Sequence, residues 1–219
     1  MKPPRIPPLY FFFSGCSSRA SVSVSSSSYY LHCPSNMAPE KKKLHPEDLR
    51  LYSLALNNRW PKRDFYQQIA TDVPVFVYCT LMLPWVLARV LGLQGIEGTE
   101  EATKHMTRAM LRRHFRTTIK YQARLTIVHS EKATAVDGIL IAGLRGEAYA
   151  RVEEYIGTKQ RSKVVEEVEI ELANNEKVNV GAFVYVWNKP LSHLEPTHWT
   201  PLDFMGSSTY KPGDQSIGP

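Results

Sequence analysis

The sequence predicts an α+β domain built on a small, mostly antiparallel, barrel-like sheet with flanking helices. Strand candidates outnumber helix candidates, and no βαβ alternation persists along the chain. Two period-two runs, residues 164–172 and 178–187, face each other across Asn174-Asn175, which reads as a hairpin of the same sheet.

Residues 1 to 40 precede that domain as a disordered or targeting extension. They hold no acid before Glu40, are dense in Pro (PPRIPP) and Ser (SVSVSSSS), and cluster apolar side chains only from Leu9 to Phe13. Such a segment cannot bury enough apolar surface to offset the entropy of ordering it. The burst is shorter than the ~7–15 residues of a secretory signal core. Its acid-poor, serine-rich character is that of an organellar transit segment, which gives a mitochondrial address if residues 1–36 serve that role. Otherwise the expected address is cytoplasmic, and translation from Met37 is a further alternative.

A helical lead-in follows over residues 41–72. Pro46, Glu47 and Asp48 suit a first turn through the fixed φ of proline and the helix dipole, and leucines recur at 49, 51, 54 and 56. Residues 64–70 read as a further turn or two. The domain itself spans 73–210 and leaves 211–219 as a tail. It opens with a buried strand, Val75 to Tyr78, followed by a helix that Pro84 starts and Gly92 ends. Residues 99–111 read as a continued helix, and residues 117–119, 125–128 and 133–141 as strands. Residues 146–155 read as a short helix closed by Gly157.

Composition narrows the function. The 43% hydrophobic and 22% charged shares are those of an ordinary soluble chain, and no apolar run reaches the ~18 residues of a membrane span. Of the net charge of +6, Lys2, Arg5 and Arg19 lie in the extension. The basic run from Lys104 to Arg124 carries no interleaved aromatic stacking pattern, so solvated faces are expected and nucleic acid is not. Cys16, Cys33 and Cys79 fit neither a disulfide framework nor a zinc site.

The joint VYCTLMLP carries the chemistry. A strand running straight into a helix would aim the helix's first N–H groups at the turn, where the dipole favours a carboxylate or phosphate. Tyr78, Cys79, Thr80 and Leu81 are therefore the candidate binding residues. The alternative is that Tyr78, Leu81 and Met82 are core packing.

Four motifs in order resemble one family. Tyr78-Cys79-Thr80-Leu81 is similar to the loop after its first strand, and residues 152–157 (VEEYIG) to the end of its later helix. Residues 182–187 (AFVYVW) and the segment from Trp199 to Phe204 are similar to its last strand and aromatic tail. On these residues, spanning roughly 73 to 210, the chain resembles the gamma-glutamylcyclotransferase-like superfamily in its avirulence-induced-gene-like branch. The resemblance implies a barrel whose pocket binds a gamma-glutamyl group or another small carboxylate, with no metal or cofactor. It implies release of 5-oxoproline as the glutamyl amine attacks its own amide. Backbone N–H groups from Tyr78 to Leu81 would hold the carboxylate or oxyanion, while a pocket carboxylate moves the proton.

Three positions depart from the family. The catalytic glutamate falls at Ile156, a position often tyrosine falls at Gln160, and the loop glycine is Cys79. Glu153, one helical turn before Ile156, is the candidate catalytic residue in its place. Two functions stay open: an enzyme working through Glu153, and a catalytically inactive member that keeps the pocket as a ligand-binding or interaction module.

Overall fold

The computed structural model describes residues 44–70, 72–122, 124–157, 159–208 and 210, so the extension, Cys16, Cys33 and the tail lie outside the described residues. In chain order the elements are α1 (Pro46–Asn57), α2 (Lys62–Ile69), β1 (Val75–Val77), a 3-10 turn (Thr80–Met82), α3 (Pro84–Leu91) and α4 (Gly95–Lys104). Then come β2 (Met106–Arg112), β3 (His114–Ile119), β4 (Leu125–His129), β5 (Ala135–Ile141), α5 (Gly146–Ile156), β6 (Arg161–Glu171) and β7 (Lys177–Trp187). A second 3-10 turn (Leu191–His193), β8 (Leu194–Pro196) and α6 (Pro201–Met205) complete the described chain.

Five strands close a barrel in the order β1-β5-β2-β6-β7, and β4-β3-β8 form a separate antiparallel sheet. Every barrel pairing is antiparallel except the closing one, where Val75 of β1 meets Phe183 of β7 in parallel. The expected α+β architecture and mostly antiparallel barrel are therefore what the chain adopts.

The period-two pattern sorts side chains onto two faces. Phe76, Leu111, Leu140, Val168 and Val184 share the cluster inside the barrel. Val75, Val77, Ile139 and Ile141 point the other way, into a cluster with Leu87 of α3, Ala102 of α4 and Val152 of α5. Because helices cover its outer face, β1 is buried at all three positions. Gly92 ends α3 in the left-handed region at φ +78°, its N–H and that of Leu93 returning to the last carbonyls of the helix.

One expectation fails between residues 99 and 111. The helix stops at Lys104, and Met106–Arg112 forms the barrel strand between β5 and β6. Asn58 fixes the switch: its side-chain amide donates to the carbonyls of Thr103 (3.1 Å) and Met106 (2.7 Å), and Thr107 Oγ1 donates back to Asn58 O (2.7 Å). Pairing on both edges then overrides the helical propensity of a run such as Ala109-Met110-Leu111.

Three of the seven basic residues of the run are paired with acids nearby. Lys104 pairs with Glu101, Arg108 with Asp137 and Arg112 with Glu169, at 2.6–3.0 Å, while Lys120 donates to Ser192 O. Among the described residues no helix is long and apolar enough to cross a membrane.

Gly138 of β5 leaves no room for a side chain. A β-carbon there would collide with the Phe76 ring and lie 2.5 Å from Val77 O. Gly138→Ala should destabilise the fold by ~1–3 kcal/mol, the usual cost of overpacking. An unchanged urea-melt midpoint would contradict that crowding.

Candidate ligand cavity at the barrel mouth

β1 ends at the mouth of the barrel, where a cavity of about 930 Å³ opens. Its floor is Phe76, Tyr78, Cys79 and Thr80. The first residues after β3 and the start of β4 form one wall through Gln122, Arg124 and Leu125. Tyr155 and Ile156 at the end of α5 form a second, and Trp199, Asp203 and Phe204 of the C-terminal segment a third.

A 3-10 turn, Thr80–Met82, follows the floor, so the expected strand, turn and helix are all present. The N–H groups of Met82 and Leu83 return to the carbonyls of Cys79 and Thr80 at 2.9 and 3.0 Å, and α3 begins only at Pro84. The Val86 and Leu87 N–H groups of α3 both return to Leu83 O, so neither is left to hold an anion in the turn. The turn brings Tyr78, Cys79 and Thr80 to the cavity, while the Leu81 side chain is fully buried in the helix-facing core.

Each polar group on the floor has a defined state. Tyr78 donates its hydroxyl to Tyr185 O at 2.5 Å, and burial pushes its pKa up to about 12. Burial also raises the Cys79 thiol, against the pull of the Leu81 N–H and the charges of Arg161 and Arg116. The thiolate is thus disfavoured at neutral pH, which argues against Cys79 as a nucleophile. Thr80 Oγ1 and the Tyr155 hydroxyl hydrogen-bond at 2.9 Å, tying the floor to α5.

Gly157 ends α5 at φ +66°, a conformation suited to glycine, and the chain returns into β6. This brings Arg161 back beneath the end of the helix. Arg161 donates to Ile156 O (2.8 Å) and Leu125 O (2.7 Å), bridging two walls. Behind the third wall, Arg116 donates to Trp199 O (2.9 Å) and Asp137 O (2.7 Å), with its guanidinium carbon 5.3 Å from the Trp199 ring centroid. The Nε atoms of both arginines are buried with no partner in the structure. A buried donor left unpaired costs ~1–3 kcal/mol.

Ile156 lines the cavity and Glu153 does not. Glu153 faces β6 and β7, where it pairs with Lys163 and accepts from the Tyr185 hydroxyl at 2.7 Å. Burial raises the Glu153 pKa, but the Lys163 and Tyr185 hydrogen bonds and the Lys163 charge outweigh it and hold the carboxyl below its ordinary value. Lys163 also stacks 3.8 Å above the Phe183 ring centroid. Asp203 is the carboxylate that lines the cavity among the described residues; it accepts from the Thr200 hydroxyl at 2.7 Å. No group of three metal-ligating side chains occurs among the described residues.

Sequence reading found the floor and the aromatic tail but missed Arg161, Arg124 and Asp203. Nothing local marks Arg161, whose importance depends on where Gly157 redirects the chain.

No protein-family model matches the sequence, and no curated protein matches it. Two solved structures of Arabidopsis thaliana proteins are similar to it. The solution structure of At3g28950.1 is 26% identical with a TM-score of 0.39, the match covering 52% of this chain and 62% of that one. The solution structure of At5g39720.1 is 20% identical with a TM-score of 0.42, covering 58% and 76%. The chain thus spans less than two thirds of the first.

The Glu153 cluster makes stability depend on pH. A carboxyl with a depressed folded pKa contributes stability above its ordinary 4.5, and that contribution fades as pH falls through the folded value. With both partners 32% exposed, Glu153→Gln should cost ~1 kcal/mol at pH 7 after allowance for screening. Urea melts of the two proteins should converge well below pH 4.5; a gap that is constant with pH would exclude the ionised pair as its cause.

Proposed function

We propose that this chain is a gamma-glutamylcyclotransferase-like protein that keeps its cavity as a binding site for a small carboxylate and does not carry out the cyclisation. The supporting observation is Ile156, an apolar side chain lining the cavity at the end of α5, where the mechanism needs a proton carrier. Such a group contributes ~10²–10⁴ in rate. Glu153, which could replace it, is committed to Lys163 and Tyr185. The floor of Tyr78, Cys79 and Thr80 is the part of the site that would hold the ligand.

Asp203 supports a second reading. It lines the cavity and is ionisable, so an enzyme built on this frame would draw its proton transfer from the C-terminal wall.

The test is 5-oxoproline release from gamma-glutamyl amino acids, glutathione and gamma-glutamyl-lysine. No release above a blank is expected from the unmodified protein, and Ile156→Glu should create measurable turnover. Wild-type release would overturn the binding reading; its loss in Asp203→Asn would assign the proton transfer to Asp203, and its loss in Glu153→Gln to Glu153.

A further inference from the structure

The cavity is larger and more aromatic than a glutamyl group alone requires. Its volume of about 930 Å³ lies near the top of the ~300–1,000 Å³ range of small-molecule sites. Tyr155, Trp199 and Phe204 line it, and the Trp199 and Phe204 rings lie 6.2 Å apart at 40°, an apolar surface suited to a flat ring.

Its charge is unbalanced in the opposite sense to its substance. Arg161 and Arg124 line it as cations. Asp203, 56% exposed, is already engaged by Thr200. The Arg161 contacts are to carbonyl oxygens, and among the described residues no carboxylate lies within ion-pair distance of it. Its Nε–H is buried and unpartnered. A partly desolvated guanidinium held only by neutral acceptors lacks the counter-anion that offsets its desolvation, and a carboxylate in the cavity would supply that charge. Arg116, behind Trp199, adds to the positive potential on the same side of the barrel.

We infer that the cavity takes an organic anion with a flat aromatic body, its carboxylate read by Arg161 and its ring held among Tyr155, Trp199 and Phe204. This rests on the reading of the cavity as a carboxylate-binding site and names the class of ligand: the aromatic part, rather than a glutamyl end, selects it. Arg124 at the open rim attracts the anion and Arg161 anchors it.

Calorimetric titration of the full chain with four probes tests this: N-acetyltryptophan, its neutral amide, gamma-glutamylglycine and gamma-glutamyltryptophan. N-acetyltryptophan should bind ~tenfold or more tightly than its amide, a difference worth ~1.4 kcal/mol, and more tightly than gamma-glutamylglycine. Arg161→Gln should abolish the preference for acid over amide. Because Arg161 also bridges two walls, Arg124→Gln at the exposed rim provides a variant that keeps the fold, and it should weaken the acid several-fold while leaving the amide unchanged. Equal binding of acid and amide, or tightest binding of gamma-glutamylglycine, overturns this inference and leaves the carboxylate or gamma-glutamyl reading standing. Binding of gamma-glutamyltryptophan well above gamma-glutamylglycine supports it, and no binding of any probe overturns both.

Discussion

β1 joins the two free edges of the sheet. Val75–Val77 pairs antiparallel with β5 on one side, and on the other the Phe183 N–H donates to Pro74 O at 2.8 Å, so three residues close the barrel. Closure removes the exposed strand edges and fixes which side chains point inward. It also decides where the chain emerges. Tyr78, the residue after the strand, is anchored across the barrel to Tyr185 O, so the following turn has little choice but to sit at the mouth.

The cavity walls are held by contacts distant in sequence. Tyr210 donates to Asp48 at 2.6 Å in a buried bond that fastens the C-terminal segment to α1. Within that segment Thr200 caps α6 by accepting from the Asp203 N–H, and Arg116 holds Trp199 through both its carbonyl and its ring. The aromatic wall is therefore an ordered part of the site, set by α1 and β3 rather than by its own short helix. Arg161 performs the same task for α5 and β4, which makes one side chain both a strut and a cation facing the cavity.

Two polar environments meet at Tyr185 of β7, which lines the cavity, accepts from Tyr78 through its carbonyl and donates to Glu153 through its hydroxyl. Facing the helices, Glu153, Lys163 and the Tyr185 hydroxyl satisfy one another, and a carboxylate so paired is a weak base. At the barrel mouth, the Tyr78 and Cys79 protons are held by burial and the nearest α5 side chains are a phenol and an isoleucine.

Much of the frame was legible in the sequence. Period-two alternation marked β6 and β7, Asn174-Asn175 marked their turn, and proline and glycine marked the two ends of α3, because these signals arise from local backbone geometry. β2 was not legible: residues 106–112 become a strand only because β5 and β6 present their edges to them. The motif Tyr78-Cys79-Thr80 located the floor, yet the burial of its groups and the arginines around it come from segments tens of residues away. The same holds for Glu153 and Ile156, one helical turn apart in sequence. Sequence determined that both lie on one short helix before a glycine; only the packing of that helix against β6 and β7 sent the acid to Lys163 and the isoleucine to the cavity, since a helix's rotation is set by what buries its apolar face.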